Sequence, residues 1–134
     1  MLIKIVSLAA RKLRTVIRAK PKREKDVQDA LENLLVGADI LYKREHPHIP
    51  YSSKNYVPDF SFEKIDLALD VKLCAKLGRE KEMIAEMNDD IMAYKSMFGN
   101  IAFVIYDLGF IRDADRFTDE FSSRDDVLIT VVKH

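Results

Sequence analysis

The sequence has one cysteine, no tryptophan, four glycines, four prolines and no excess of either charge. The single thiol, Cys74, excludes an internal disulfide framework and a cysteine-rich structural zinc site, and it suits a reducing cytoplasm. So little glycine and proline, beside 48% hydrophobic residues, excludes collagen-like and disordered chains and leaves a globular one able to bury a core. No apolar run approaches the roughly 18 residues that a membrane span needs, so a soluble cytoplasmic protein with no membrane contact is expected. A secretory signal does not fit either, because Lys4 interrupts the apolar start and Arg11 closes it early. At 134 residues the chain has room for one compact domain.

The absent net charge, 22 basic against 22 acidic side chains, hides an uneven distribution. Residues 1 to 25 hold nine basic groups and one acid, Glu24, whereas the remainder carries 13 basic and 21 acidic groups. Residues 1 to 20 read as a basic amphipathic helix and residues 21 to 134 as an acidic body. In the helix, expected over 2 to 19, Leu2, Val6, Ala9, Leu13, Val16 and Ile17 share one face, and Pro21 ends it. Arg11, Arg14 and Arg18 lie opposite, where they are available to nucleic-acid phosphates; the face alternatively packs on the body, a partner subunit or an upstream domain.

A second helix is expected from Arg23 to Val36, with Val27, Ala30, Leu31, Leu34 and Leu35 facing the core and Gly37 as its C-cap. Glu24 and Gln28 border that stripe, and Glu32 lies further toward solvent. Three strands, 40–45, 56–63 and 65–73, should then form a meander, with a loop from His46 to Asn55. In the third strand Ile65, Leu67, Leu69, Val71 and Leu73 alternate with Asp66, Ala68, Asp70 and Lys72. A helix over 79–98 followed by the apolar run 101–106 reads as a crossover into a strand buried on both faces. A short helix near 113–121 and a strand at 127–132 complete the chain.

The chemistry-bearing pattern is Pro58-Asp59, then Asp70-Val71-Lys72. Antiparallel pairing of the two strands brings the aspartates together, and two adjacent carboxylates invite a divalent cation to relieve their repulsion. Mg²⁺ suits hard oxygen ligands and keeps waters in place for a phosphate oxygen, with Mn²⁺ as a substitute. The Val71 carbonyl is a further ligand candidate. A lysine on the Asp70 face can orient an attacking water and stabilise charge on a pentacovalent phosphorane. Glu24 is placed to enter as a metal ligand or as a base acting through water.

Glu24 on its helix, Pro58-Asp59 and Asp70-Val71-Lys72, followed by a helix and a buried strand, resemble the PD-(D/E)xK nuclease superfamily. Within it, residues 24–31, 44–47, 65–72 and 101–107 look like the DpnII/MboI-type restriction endonuclease domain. The resemblance implies an α/β restriction-endonuclease-like core, a mixed β-sheet flanked by helices, with the amino-terminal amphipathic helix as an addition. It also implies Asp59 and Asp70 as metal ligands, Lys72 as the catalytic lysine, Glu24 as the helix acid and Gln28 as a companion. The activity implied is metal-dependent cleavage of DNA in restriction or defence. A homodimer or a larger protein or complex is the implied setting, since cutting both strands takes two sites. A catalytically inactive module that binds nucleic acid or mediates assembly is the alternative.

Glu45 ends the first strand near this site and is a candidate supporting acid. His46 and His48 flank a proline in a loop and lack further ligands, so they read as loop residues. Asp89-Asp90 reads as part of the outer face of its helix, Tyr94 and the methionine stripe as core, and Cys74 as a small core-edge residue.

Overall fold

A computed structural model describes residues 1–121 and 123–134. Its element order is α1 (Leu2–Val16), α2 (Glu24–Gly37), β1 (Lys43–Arg44), β2 (Ile49–Tyr51), β3 (Lys54–Tyr56), β4 (Phe60–Phe62), β5 (Leu67–Cys74), α3 (Arg79–Tyr94), β6 (Asn100–Asp107), α4 (Ala114–Asp119) and β7 (Val127–Lys133). One mixed sheet of five strands runs β1-β4-β5-β6-β7, antiparallel as far as β5 and parallel from β5 to β7. Among the described residues no helix is long and apolar enough to cross a membrane.

Strand periodicity divides the core in two. Leu67, Leu69, Val71 and Leu73 of β5 pack with α1 and α2, while Ala68 and Cys74 join the cluster formed with α3 and α4. β6, a run of apolar residues with partners on both sides, is buried on both faces as its sequence indicates.

α1 belongs to the first of these layers. Ile5, Ala9 and Leu13 are fully buried, and the helix packs on α2 and β7. The buried stripe differs from the expected one: Ile5 replaces Val6 at its centre, and Val16 is nearly half exposed. The apolar start at residues 2–6 leaves the face ambiguous, and packing on the body resolves it. The helix stops at Val16 rather than near residue 19, with Ile17 already extended.

α2 begins where Asp26 accepts the amides of Lys22 and Arg23. Its left-handed exit falls on Asp39, at φ 57°, not on Gly37. The first expected strand shrinks to two residues, and the expected loop after it contains a hairpin: β2 pairs with β3, Ile49 facing Tyr56 and Tyr51 facing Lys54. The strand expected over 56–63 is split by Val57-Pro58-Asp59 into β3 and β4. Pro58 offers no amide to a ladder, and its neighbour Asp59 uses its amide elsewhere. Asp66 lies before β5 at φ 53°, and its carboxylate accepts the Gly99 amide, tying the β5 entrance to the turn before β6.

Candidate active site

β5 outruns its neighbour. The β4–β5 ladder ends at the Phe60–Leu69 pair, so the next amides on that edge, Val71 and Leu73, have no strand to meet. Carboxylates take its place. Val71 N–H donates to Asp59 Oδ2 at 2.7 Å, and Leu73 N–H donates to Glu24 Oε2 at 3.2 Å. The arrangement is reciprocal, since Asp59 N–H donates to Asp70 Oδ1 at 2.9 Å. Because N–H and C=O of a strand residue point the same way, the Val71 carbonyl also faces this gap.

The second oxygen of Asp70 is held from α3: Tyr94 donates its hydroxyl to Asp70 Oδ2 at 2.9 Å. From the same helix Asp90 Oδ2 accepts Lys72 Nζ at 3.0 Å, and Glu86 Oε2 lies 3.7 Å from that nitrogen. Arg79 opens α3 and forms a two-pronged pair with Glu86, 3.0 Å on each arm, while reaching Glu24 at 3.6 Å. Three elements, α2, β5 and α3, are thereby joined through charged side chains around the two aspartates.

Burial and like charge act together here. Asp59 is pushed up to about 6, first by burial and then by the nearby Glu24 and Asp90 charges, against the pull of the Val71 amide and Lys72. Asp70, only 5% exposed, is raised well above the usual carboxylate range by burial and then by Asp59 and Asp90. For Lys72 burial favours the neutral amine, but Asp90, Asp70 and Glu86 outweigh it and raise its pKa, so it stays an ammonium.

The donor set fits a hard divalent cation through its chemistry. Among the described residues no three or more His, Cys, Asp or Glu side chains converge as a ready-made cage. Two adjacent aspartates whose charges oppose each other, beside a strand carbonyl facing the same gap, match an ion that takes one or two carboxylates and keeps its waters.

The remaining expected residues are distributed differently. Gln28 Oε1 accepts from Arg44 Nη2 at 3.2 Å, which directs that oxygen to β1. Glu32, expected nearer solvent, is a partner of the same Arg44 at 3.0 Å and of the Tyr42 hydroxyl at 2.9 Å. Glu45 is exposed, sits at φ 53°, and braces the site through its backbone, its N–H donating to the Asp59 carbonyl at 2.9 Å. Arg11 and Arg14 are exposed on α1, and Arg18, exposed as well, lies in the segment beyond its end.

Asp90 and Tyr94 are the residues that sequence reasoning assigned elsewhere. Asp90 belongs to the site and not to an outer acidic face: its side chain is 14% exposed and Lys72's is 12%. Met83, Met87, Asp90 and Tyr94 recur at helical spacing, and one acid inside an apolar stripe was the available signal. The adjacent Asp89 disguised it as a solvated pair.

In comparison with known proteins, the family model described as REase_DpnII-MboI matches residues 6–134, which takes in most of α1 and everything after it. No curated protein and no solved structure matches.

Proposed function

This chain belongs to the DpnII/MboI restriction endonuclease family, and from that we propose that it is a divalent-metal-dependent DNA endonuclease acting at Asp59, Asp70 and Lys72. Family membership implies cleavage of DNA in defence, and the five-stranded mixed sheet flanked by helices is a restriction-endonuclease-like fold. The observation carrying the finer reading is the reciprocal lock between the aspartates, Asp70 accepting the Asp59 amide and Asp59 accepting the Val71 amide, with Lys72 next to Val71. A module that had lost catalysis would have no need to keep acid, acid and lysine together in this costly buried arrangement.

Asp59, Asp70 and the Val71 carbonyl would hold Mg²⁺, or Mn²⁺ in its place, with Glu24 as a further ligand or as a base acting through water. When bound, the ion would supply Lewis-acid polarisation of the phosphoryl group and charge stabilisation for the leaving oxygen. The protein supplies the rest. Lys72, kept charged by Asp90, donates hydrogen bonds and so orients the attacking water and offsets negative charge growing on the phosphoryl oxygens. An ammonium does not abstract a proton; the water's proton passes to a carboxylate, for which Glu24 is the accessible choice at 37% side-chain exposure. Tyr94 fixes the Asp70 carboxylate from behind. Cleavage of both strands takes two such centres, which a homodimer supplies, and the exposed Arg11, Arg14 and Arg18 contribute phosphate contacts.

The test is plasmid cleavage by the purified protein with Mg²⁺, with EDTA, and with Lys72→Ala. The expected result is cutting that needs the metal and disappears in Lys72→Ala, whose circular dichroism and Mg²⁺ binding stay as in the parent. Undiminished cutting by that variant would sink the proposal.

A further inference from the structure

The β2–β3 hairpin is inserted in the chain between β1 and β4, which pair directly with each other, and its second strand ends three residues before Asp59. We propose that this hairpin is the element that reads the DNA sequence, entering the major groove with Asn55 and His48 facing base edges. The inference rests on the endonuclease reading and names the recognition surface belonging to that site.

Four observations converge on it. The first is its two-sidedness. Ile49, Tyr51 and Tyr56 turn inward to the core cluster that contains Met83 and Met87, Ile49 being 2% exposed. His48, Pro50 and Asn55 are exposed, with Pro50 and Asn55 directly opposite each other in the ladder. The second is preorganisation. On the outward face Asn55 Nδ2 lies 3.2 Å from His48 Nδ1; on the inward face Tyr51 and Tyr56 meet edge to face at 6.3 Å, with Lys54 Nζ 4.9 Å from the centre of the Tyr56 ring. An outward face held in place by its own contacts loses little freedom when it binds.

The third is charge. The chain after residue 25 is strongly acidic, yet residues 46 to 58 contain no acid and hold Lys54 and two of the three histidines. A duplex approaching the acidic body meets its least repulsive surface here. The fourth is coupling to the cutting centre. Both β2 and β3 pack on α3, the helix whose Asp90 holds Lys72 and whose Tyr94 holds Asp70. Reader and cutter therefore share one rigid element.

The chemistry of the exposed face suits base edges. A two-stranded ribbon fits the major groove, an asparagine amide matches the N6 and N7 of adenine in two hydrogen bonds, and a lysine reaches guanine or a phosphate. Tyrosines that anchor the ribbon are not available for that reading, which confines it to His48 and Asn55 with the turn serines Ser52 and Ser53, while Lys54, exposed on the tyrosines' side of the ladder, is left to a phosphate.

The experiment selects bound DNA from a pool of random duplexes in Ca²⁺ and sequences it, for the parent, Asn55→Ala, His48→Ala and Lys54→Ala. All three side chains are exposed, and unfolding temperatures equal to the parent's confirm the fold. The parent is expected to enrich a defined sequence, and Asn55→Ala to lose roughly 5- to 150-fold discrimination at one base pair, the range of a single two-pronged base contact, with non-specific affinity unchanged. Enrichment identical in all variants, or no enrichment by the parent, overturns the hairpin assignment. A parent that enriches a sequence through these residues but never cuts it in Mg²⁺ refutes the endonuclease reading and leaves the hairpin's role standing.

Discussion

Lys72 Nζ and Asp90 Oδ2 lie 3.0 Å apart, a largely buried ion pair between the strand that carries the candidate site and the helix that covers it. Asp90 makes no hydrogen bond to either aspartate; it holds the lysine charged and in place, and its own charge helps raise both aspartates. Asp90→Asn is expected to lower DNA cleavage by about 10- to 100-fold, the range seen when an outer partner of a site residue is removed. It should also move the alkaline limb of the pH–rate profile to lower pH, since the charge that keeps the proton on Lys72 is gone. Asp90→Glu should recover part of the rate, and Asp89→Asn, one residue away on the exposed side, should change neither quantity.

Tyr94 is a second positioning residue of α3. Tyr94→Phe removes the one hydrogen-bond donor to Asp70 Oδ2 found among the described residues and leaves that buried oxygen without it. The cost expected is about 1–3 kcal/mol of stability, read from the urea midpoint of the metal-free protein. Saturating Mg²⁺ should return part of it, because the cation offers that oxygen a new partner.

The pH dependence of stability has a definite sign. In the folded protein Asp59 keeps its proton up to about pH 6, whereas the unfolded chain releases it near 3.8. The folded state therefore binds more protons across this window, and metal-free stability falls as pH rises through it, by about 3 kcal/mol for this group. Asp59→Asn, which keeps an oxygen for the Val71 amide, should lessen the fall between about pH 4 and about pH 7 in urea unfolding with EDTA. Mg²⁺ should stabilise the parent more at the higher pH, where it no longer competes with the proton. An equal fall in parent and variant would remove Asp59 as its cause.

α1 divides its two faces between stability and charge. Leu13 is fully buried, so Leu13→Ala is expected to cost about 2–5 kcal/mol in denaturant unfolding. Replacing Arg11, Arg14 and Arg18 with Gln should leave stability nearly unchanged, apart from the 3.1 Å bond from Arg14 to the Ile17 carbonyl. If all three neutralise phosphates, the slope of log affinity against log salt falls by about 3 in DNA binding.

Local rules made much of this protein readable. The 3.6-residue period placed α1, α2 and α3, the apolar run at 101–106 announced a strand covered on both faces, and the alternation in 67–73 put Asp70 and Lys72 on one side and Val71 on the other. Such patterns survive because each depends on neighbours in the same segment. The hairpin at 49–56 was hidden by Pro50, by Pro47 just before it and by its short strands, which resemble a loop when read in isolation. Its stability comes from Ile49, Tyr51 and Tyr56 packing on a helix that arrives later in the chain.

The sequence by itself determined that acid, acid and lysine come close together between two helices, with Asp59 just before β4 and Asp70 and Lys72 on one side of β5, since residue order and strand period require it. Only the tertiary structure decided what surrounds them. β4 stops short of β5, so two strand amides are met by Asp59 and Glu24, and α3 lies so that Asp90 and Tyr94 reach Lys72 and Asp70. Those contacts join residues up to 49 positions apart, and which of many acids makes them depends on where helices pack, a balance of buried surface across the whole fold and not of any one segment.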